Sequence, residues 1–378
     1  MQSRIKSLDL LRGVIMVLMA IDHTRVYAGV PAGGPDAALF FTRWVTHFCV
    51  SGFVFFAGTG IFLYGQKIND PRKLSRYLLS RGLLLMLLEL TLIRFCWTFN
   101  LDFSAFILFG VIWMLGCCMV LMAALTRLSV KALAIAGLVI VVGQQAFHFV
   151  PEAFPKGWQE SVAHFWNFFY PTNMGNSETL SVLYVIIPWI GVMMVGYAFG
   201  RLMLKPAAER NKYCYWIGGA AILLFLVIGS IMAYQAPPGD NLPFLFRLLS
   251  QRKYPASPLF LLMTLGPLIL SIPLAERAKG WLATVFTIFG RVPLFYYLLH
   301  IPLIHILALG VNKIRLGQFH QDWYGFAPFF TQQKEGLRWG LPLLYLVFLI
   351  AEIILYFFCR WYARYKAAHP EKSWLKYI

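Results

Sequence analysis

Asp22 and His23 stand together near the end of LDLLRGVIMVLMAIDHTR, a run too long and too apolar for a soluble domain. Titratable groups are costly to hold at that depth, which points to a function. Arg12 precedes His23 by eleven residues, almost three whole turns, so the two share one helix face about 16 Å apart. An imidazole, with its ordinary pKa of about 6.5, can take a proton from a hydroxyl or amine as that group attacks a carbonyl, or can itself accept an acyl group. A planar guanidinium further along the stripe suits phosphate.

Other polar residues interrupt the apolar sequence in the same way. With the N-terminus placed in the cytoplasm, His23, His47, His300 and His305 fall in one outer layer, four of the eight histidines. A single histidine there is as readily a core residue bonded to a carbonyl as a functional one, and four at one level favour function. His300 and His305 are five residues apart, about 140° around a helix, so one of them, His300, is expected at the site and the other in the structure.

Glu89 and Arg94, in RGLLLMLLELTLIRFCWTF, are badly spaced for each other. Partners on other helices, such as Arg43, Arg81 or a histidine, are expected, as a bundle-locking pair or a substrate group. Asp9 and Arg12 can pair at i,i+3, either as a simple helix-end pair or as a phosphate grip. Arg252, Lys253 and Tyr254 in SQRKYPASP suit an anionic or sugar ligand, or interfacial anchoring. No HExxH pattern or paired carboxylate has metal-ligand spacing, and no metal is expected.

The elements that must carry these residues follow from composition. Of 378 residues, 59% are hydrophobic and 13% charged, which defines a polytopic integral membrane protein of the all-α class. Ten spans are expected, at 8–28, 40–65, 77–97, 104–126, 131–150, 180–203, 213–234, 257–275, 283–311 and 339–363, forming one domain over 1–378. Lys67, Arg72, Lys73, Arg76, Arg127, Lys131, Arg201, Lys205, Arg210, Lys212, Arg360, Arg364 and Lys366 then lie inside, with both termini cytoplasmic. The net charge of +17 thus acts as a topology signal, and nucleic acid is a poor partner.

Asp36, Asp102, Glu152, Glu160, Glu178 and Asp240 fall outside, but so do Arg247, Arg252, Lys253, Lys313, Arg315, Lys334 and Arg338, which topology alone does not explain and which suit a ligand; the longest outer loops have the Pro, Gly and aromatic content of structured caps. The six cysteines read as small buried hydrophobes. The first helix lacks a small-x-small cleavage site and is expected to be retained. Gly58, Gly60, Gly191, Gly196 and Gly200 have the spacing of close helix packing, and small-residue faces make a homodimer plausible.

Several strings resemble one family: RIKSLDLLRGVIMVLMAIDHTR, FFTRWVTHFCVSGFVFFAGTGIFL, SRGLLLMLLELTLIRFCWTFN, VLYVIIPWIGVMMVGYAFGR, RKYPASPLFLLMTLGP, FGRVPLFYYLLHIPLIH and CRWYARYK. They resemble the bacterial membrane family related to the catalytic domain of heparan-alpha-glucosaminide N-acetyltransferase. SLDLLRG followed by His23 is also similar to the first helix of the acyltransferase-three membrane enzymes, where an Arg-Gly pair precedes an essential histidine. The chain departs from the lysosomal enzyme in its next loop, VYAGVPAGGPDAALF, which holds no histidine.

The resemblance implies an acyltransferase of the bacterial inner membrane, in contact with lipid, that passes an acyl group from cytoplasmic acetyl-CoA or another acyl-CoA to an extracytoplasmic glycan or small-molecule acceptor. His23 is then the catalytic base or acyl carrier. Asp22 neighbours it in the catalytic group but points about 100° away on a regular helix, so another carboxylate, with Glu89 the candidate, would orient the ring, and His47 or His300 would meet the oxyanion. Arg12, Asp9, Arg43 and Arg94 would serve the cofactor, and Arg252, Lys253 and Tyr254 the acceptor. The rival class is a transporter or flippase for an anionic or glycolipid substrate, with the same buried charges as its binding site or proton relay. A nonenzymatic scaffold has little use for polar groups gathered in one layer.

Overall fold

A computed structural model describes residues 5–33, 36–103, 106–172, 180–235 and 242–377. Glu178 and Asp240, expected in outer loops, lie outside these. The helices in chain order are α1 Lys6–Tyr27, α2 Ala37–Trp44, α3 Phe48–Ile68, α4 Pro71–Leu88, α5 Arg94–Thr98, α6 Val111–Leu125, α7 Val130–Gly143, α8 Lys156–Trp166, α9 Trp189–Met203, α10 Ala207–Tyr234, α11 Phe244–Leu249, α12 Pro258–Leu270, α13 Ile272–Arg277, α14 Trp281–Arg291, α15 Pro293–Leu316 and α16 Leu341–Ala368. Two short strands, β1 Ile107–Phe109 and β2 Leu180–Val182, pair in parallel with Ile107 opposite Leu180. A π-helical turn, Glu89–Ile93, joins α4 to α5.

Local chemistry sets several of these ends. Asp70 caps α4 by accepting from the amides of Arg72 and Lys73, with Pro71 in the first turn. The Lys73 amide holds the Asp70 carboxyl below the usual carboxylate range. Ser129 caps α7 through the amide of Ala132. Six helical runs are long and apolar enough to cross a membrane: Ala37–Ile68, Val130–Phe149, Ala207–Tyr234, Pro258–Arg277, Pro293–Leu316 and Leu341–Ala368. On α7, α10 and α16 large apolar side chains such as Ile135, Val142, Leu223, Met232, Ile353 and Phe357 stay exposed, as a lipid-facing surface requires. The chain is therefore a helical membrane protein.

Three expected spans differ in outline. The ranges 104–126 and 180–203 open with the paired strands, and the helices that follow, α6 and α9, are shorter apolar segments of 15 residues each. Short apolar runs such as ILF and LSV suit either state, and a parallel pairing decides between them. The range 283–311 divides at Val292 because Pro293 excludes the residue before it from the helical region, and Val292 sits at φ −131°, ψ 53°.

The chain forms two compact units. The first contains Met1–Cys49, Ile93–Leu101 and Ser271–Ile378. Here α1 packs against α13, α14, α15 and α16. Its contact with α14 is backbone on backbone: a Cβ on Gly13 would stand 1.8 Å from the Phe286 carbonyl oxygen, and one on Gly290 1.7 Å from that of Asp9. The second unit contains Val50–Leu92 and Asp102–Leu270, with α4 on α6, α7 on α9 and α10 on α12. Gly58 and Gly196 each lie against backbone of the other's helix there: a Cβ on Gly58 would fall 2.1 Å from the Met193 carbonyl oxygen, and one on Gly196 2.2 Å from that of Phe55.

Candidate active site

The first unit gathers its polar groups at the end of α1. Helix α1 presents His23, α15 presents His300 and α5 presents Trp97. His23 Nδ1 lies 2.6 Å from His300 Nε2, with ring centroids 4.8 Å apart and planes inclined by 22°. The indole of Trp97 meets the His23 ring edge-on at 4.7 Å, and Tyr297 does so at 6.5 Å. His300 is sealed from solvent, and its Nδ1 donates to the carbonyls of Tyr297 at 2.7 Å and Tyr296 at 3.2 Å, one helical turn back. The ring plane of Tyr296 lies 24° from that of His300, and its hydroxyl donates to Glu352 on α16.

Asp22 faces two guanidinium groups. Arg25 Nε donates to Oδ1 at 2.8 Å and Arg43 Nη1 to Oδ2 at 2.6 Å. Arg25 also reaches the Val30 carbonyl, and Arg43 the Thr46 hydroxyl. The carboxylate beside His23 in sequence thus ties the end of α1 to the end of α2 and the turn after it. His47, in the 3-10 turn Val45–His47, donates through Nδ1 to the Trp44 carbonyl at 2.9 Å. Arg12 stands 3.8 Å from Asp9, the i,i+3 pair read from the sequence.

The segment between α15 and α16 straps this end of the unit. Gln321 donates to the Thr98 carbonyl and accepts from His305 Nε2 at 3.0 Å. Gln333 donates to the Tyr27 carbonyl at 2.9 Å and to the Tyr324 hydroxyl at 3.1 Å. Burial pushes the Tyr324 phenol up to about 12. His305 stacks on Phe99 at 3.9 Å and packs on Tyr27 and Tyr324. His305, on α15, bonds to the strap, while His300, five residues earlier on the same helix, meets His23.

Glu89 corrects an expectation. Its partners are backbone amides rather than a cation on another helix: in the second unit, Oε2 accepts from Ile112 at 2.7 Å and Trp113 at 3.1 Å, capping α6. Arg94 is fully buried and donates to the Asn100 carbonyl and the Thr98 hydroxyl, holding the end of α5 that carries Trp97.

Arg252, Lys253 and Tyr254 lie in the second unit. Lys253 is buried over the rings of Tyr184 and Tyr254, whose hydroxyls are 3.2 Å apart, while Arg252 and Tyr254 are exposed. Among the described residues no three His, Cys, Asp or Glu side chains are grouped to hold a metal.

Sequence reasoning missed Trp97, Arg25, Tyr296 and Glu352. Arg25 was legible as the i,i+3 partner of Asp22, and Glu352 as the one charged residue of LVFLIAEIILYFF. Trp97 carried no such signal.

Fold and site together define a helical membrane protein with a half-buried imidazole bonded to a second, fully buried one. Its family follows from comparison with known proteins. Residues 4–236, more than half the chain, match the heparan-alpha-glucosaminide N-acetyltransferase catalytic family, and the chain belongs to that family. No curated protein matches it significantly. The matched stretch includes Arg12, Asp22, His23, Arg43, Glu89 and Arg94, whereas His300 and the strap lie beyond it.

Proposed function

We propose that the protein is a transmembrane acetyltransferase that takes the acyl group from cytoplasmic acyl-CoA and delivers it to an extracytoplasmic sugar or amino sugar. Family membership supports acetyl transfer, and the bond between His23 and His300 is the observation that carries the reading, because it holds a titratable ring in fixed orientation at the end of a long apolar helix. Ten spans with both termini cytoplasmic, in a bacterial plasma membrane, suit the distribution of Lys and Arg. Arg12, steadied by Asp9, then meets the donor phosphates at the inner end of the same face of α1. His23 receives the acceptor proton at the outer end. The Asp22, Arg25 and Arg43 cluster fixes the backbone around it.

Acetyl-CoA binding and turnover by the full chain in lipid nanodiscs test this. Wild type should bind saturably, Arg12→Ala should bind about tenfold or more weakly, and His23→Ala should bind normally while losing about 100-fold or more in acetyl transfer. Failure of folded wild type to bind any acyl-CoA would sink the proposal, and coupled uptake of an anionic substrate would favour a transporter.

A further inference from the structure

Hydrogen bonds around the two histidines determine where their protons lie. A carbonyl oxygen only accepts, so His300 Nδ1, 2.7 Å from the Tyr297 oxygen, carries a hydrogen. His300 is sealed from solvent and, among the described residues, bonded to no carboxylate, so its ring is neutral and has its lone pair on Nε2. The 2.6 Å contact from that atom to His23 Nδ1 requires one proton between them, and His23 must supply it. Two imidazolium rings at this distance would have no acceptor between them and would repel.

We infer that His300 is a positioning residue that fixes His23 as the Nδ1–H tautomer, making His23 Nε2 the basic nitrogen of the site. The helix backbone of α15 sets His300, His300 sets His23, and the edge contact with Trp97 limits rotation of the ring. A neutral acceptor here takes the orienting place that a carboxylate has in a Ser-His-Asp triad.

The use of that nitrogen rests on the acetyltransferase reading; the proton placement does not. In acyl transfer, Nε2 takes the proton from the acceptor O–H or N–H while that oxygen or nitrogen bonds to the thioester carbonyl carbon. The C–S bond breaks, and the coenzyme sulfur leaves with the electron pair and takes the proton from Nε2. Acceptor and acyl thioester become acylated acceptor and free thiol, and both histidines return to their starting state. The Nδ1–H stays in place throughout, with His300 Nε2 sharing the charge of the transient imidazolium.

Nitrogen NMR of 15N-histidine-labelled full-length protein in nanodiscs separates protonated from bare ring nitrogens, with His23 assigned by the signals lost in His23→Gln. Wild type should show Nδ1 protonated and Nε2 bare at His23. His300→Leu, which offers no acceptor, should lose that preference, and His300→Gln, whose amide oxygen accepts, should restore it. In acetyl transfer His300→Leu should lower kcat about 100-fold with KM for acetyl-CoA unchanged, and His300→Gln should recover most of the loss. A protonated Nε2 on wild-type His23 overturns the inference, whether or not the leucine variant folds, as does a folded leucine variant with an unchanged His23 spectrum. The expected spectrum without acyl transfer from any acyl-CoA supports the proton placement and overturns the acetyltransferase reading.

Discussion

His23 and Glu89 show how one kind of oddity, an ionisable side chain in apolar sequence, resolves into different roles once its neighbours are known. His23 meets another ring that can exchange hydrogen bonds with it. Glu89 meets the start of a helix, where unpaired amides attract a carboxylate, and Gly110 leaves it room, since a Cβ there would stand 2.6 Å from Oε1. Removing the carboxylate strands two buried amides at a cost of about 1–3 kcal/mol. Glu89→Leu should therefore lower the thermal midpoint in detergent clearly, and Glu89→Gln, which keeps an acceptor oxygen, should lower it much less. Equal midpoints for both variants would show that the cap contributes little.

At the scale of elements, α1 and the strap hold the site together. Glycine at 13 and 290 lets α14 approach the lower half of α1, which leaves the upper half to α15 and the aromatic side chains. Arg12 and Gly13, adjacent in the motif, thus differ in kind: one has a side chain that pairs with Asp9, the other is required for having none. The strap closes on α1 through Gln333 and Tyr324, and it carries a pH dependence. The Tyr324 phenol is raised from about 10 unfolded to about 12 folded, so its contribution is complete below pH 10 and is lost as pH climbs toward 12, by about 1.4 kcal/mol for each unit separating the two values. Limited proteolysis should cut residues 317–340 faster across that interval in wild type, and Tyr324→Phe should flatten the change. A phenylalanine variant with the same alkaline profile would remove Tyr324 as its cause.

In the whole molecule, ten spans expected from the sequence stand beside six helical runs that are long and apolar enough to cross a membrane. Helix α1 carries Asp9, Arg12, Asp22 and Arg25, and α6 and α9 are short. Charge in α1 keeps it outside these six. Reporter fusions after Leu128, Lys205 and the C-terminal residue should all report the cytoplasmic side, and fusions within 151–172 the opposite one; a C-terminal fusion on the outer side would contradict the ten-span topology. Composition and apolar run length determined that this is a helical membrane protein, and the depth of His23 and the motif around it marked the end of α1, because hydrophobic transfer and the cost of buried charge act on local sequence. Long-range pairing was left to the tertiary structure. His300 lies 277 residues from His23, Glu89 found amides instead of a cation, and a parallel strand pair replaced two helix starts, since each choice depends on which backbone or side chain another segment brings within hydrogen-bond reach.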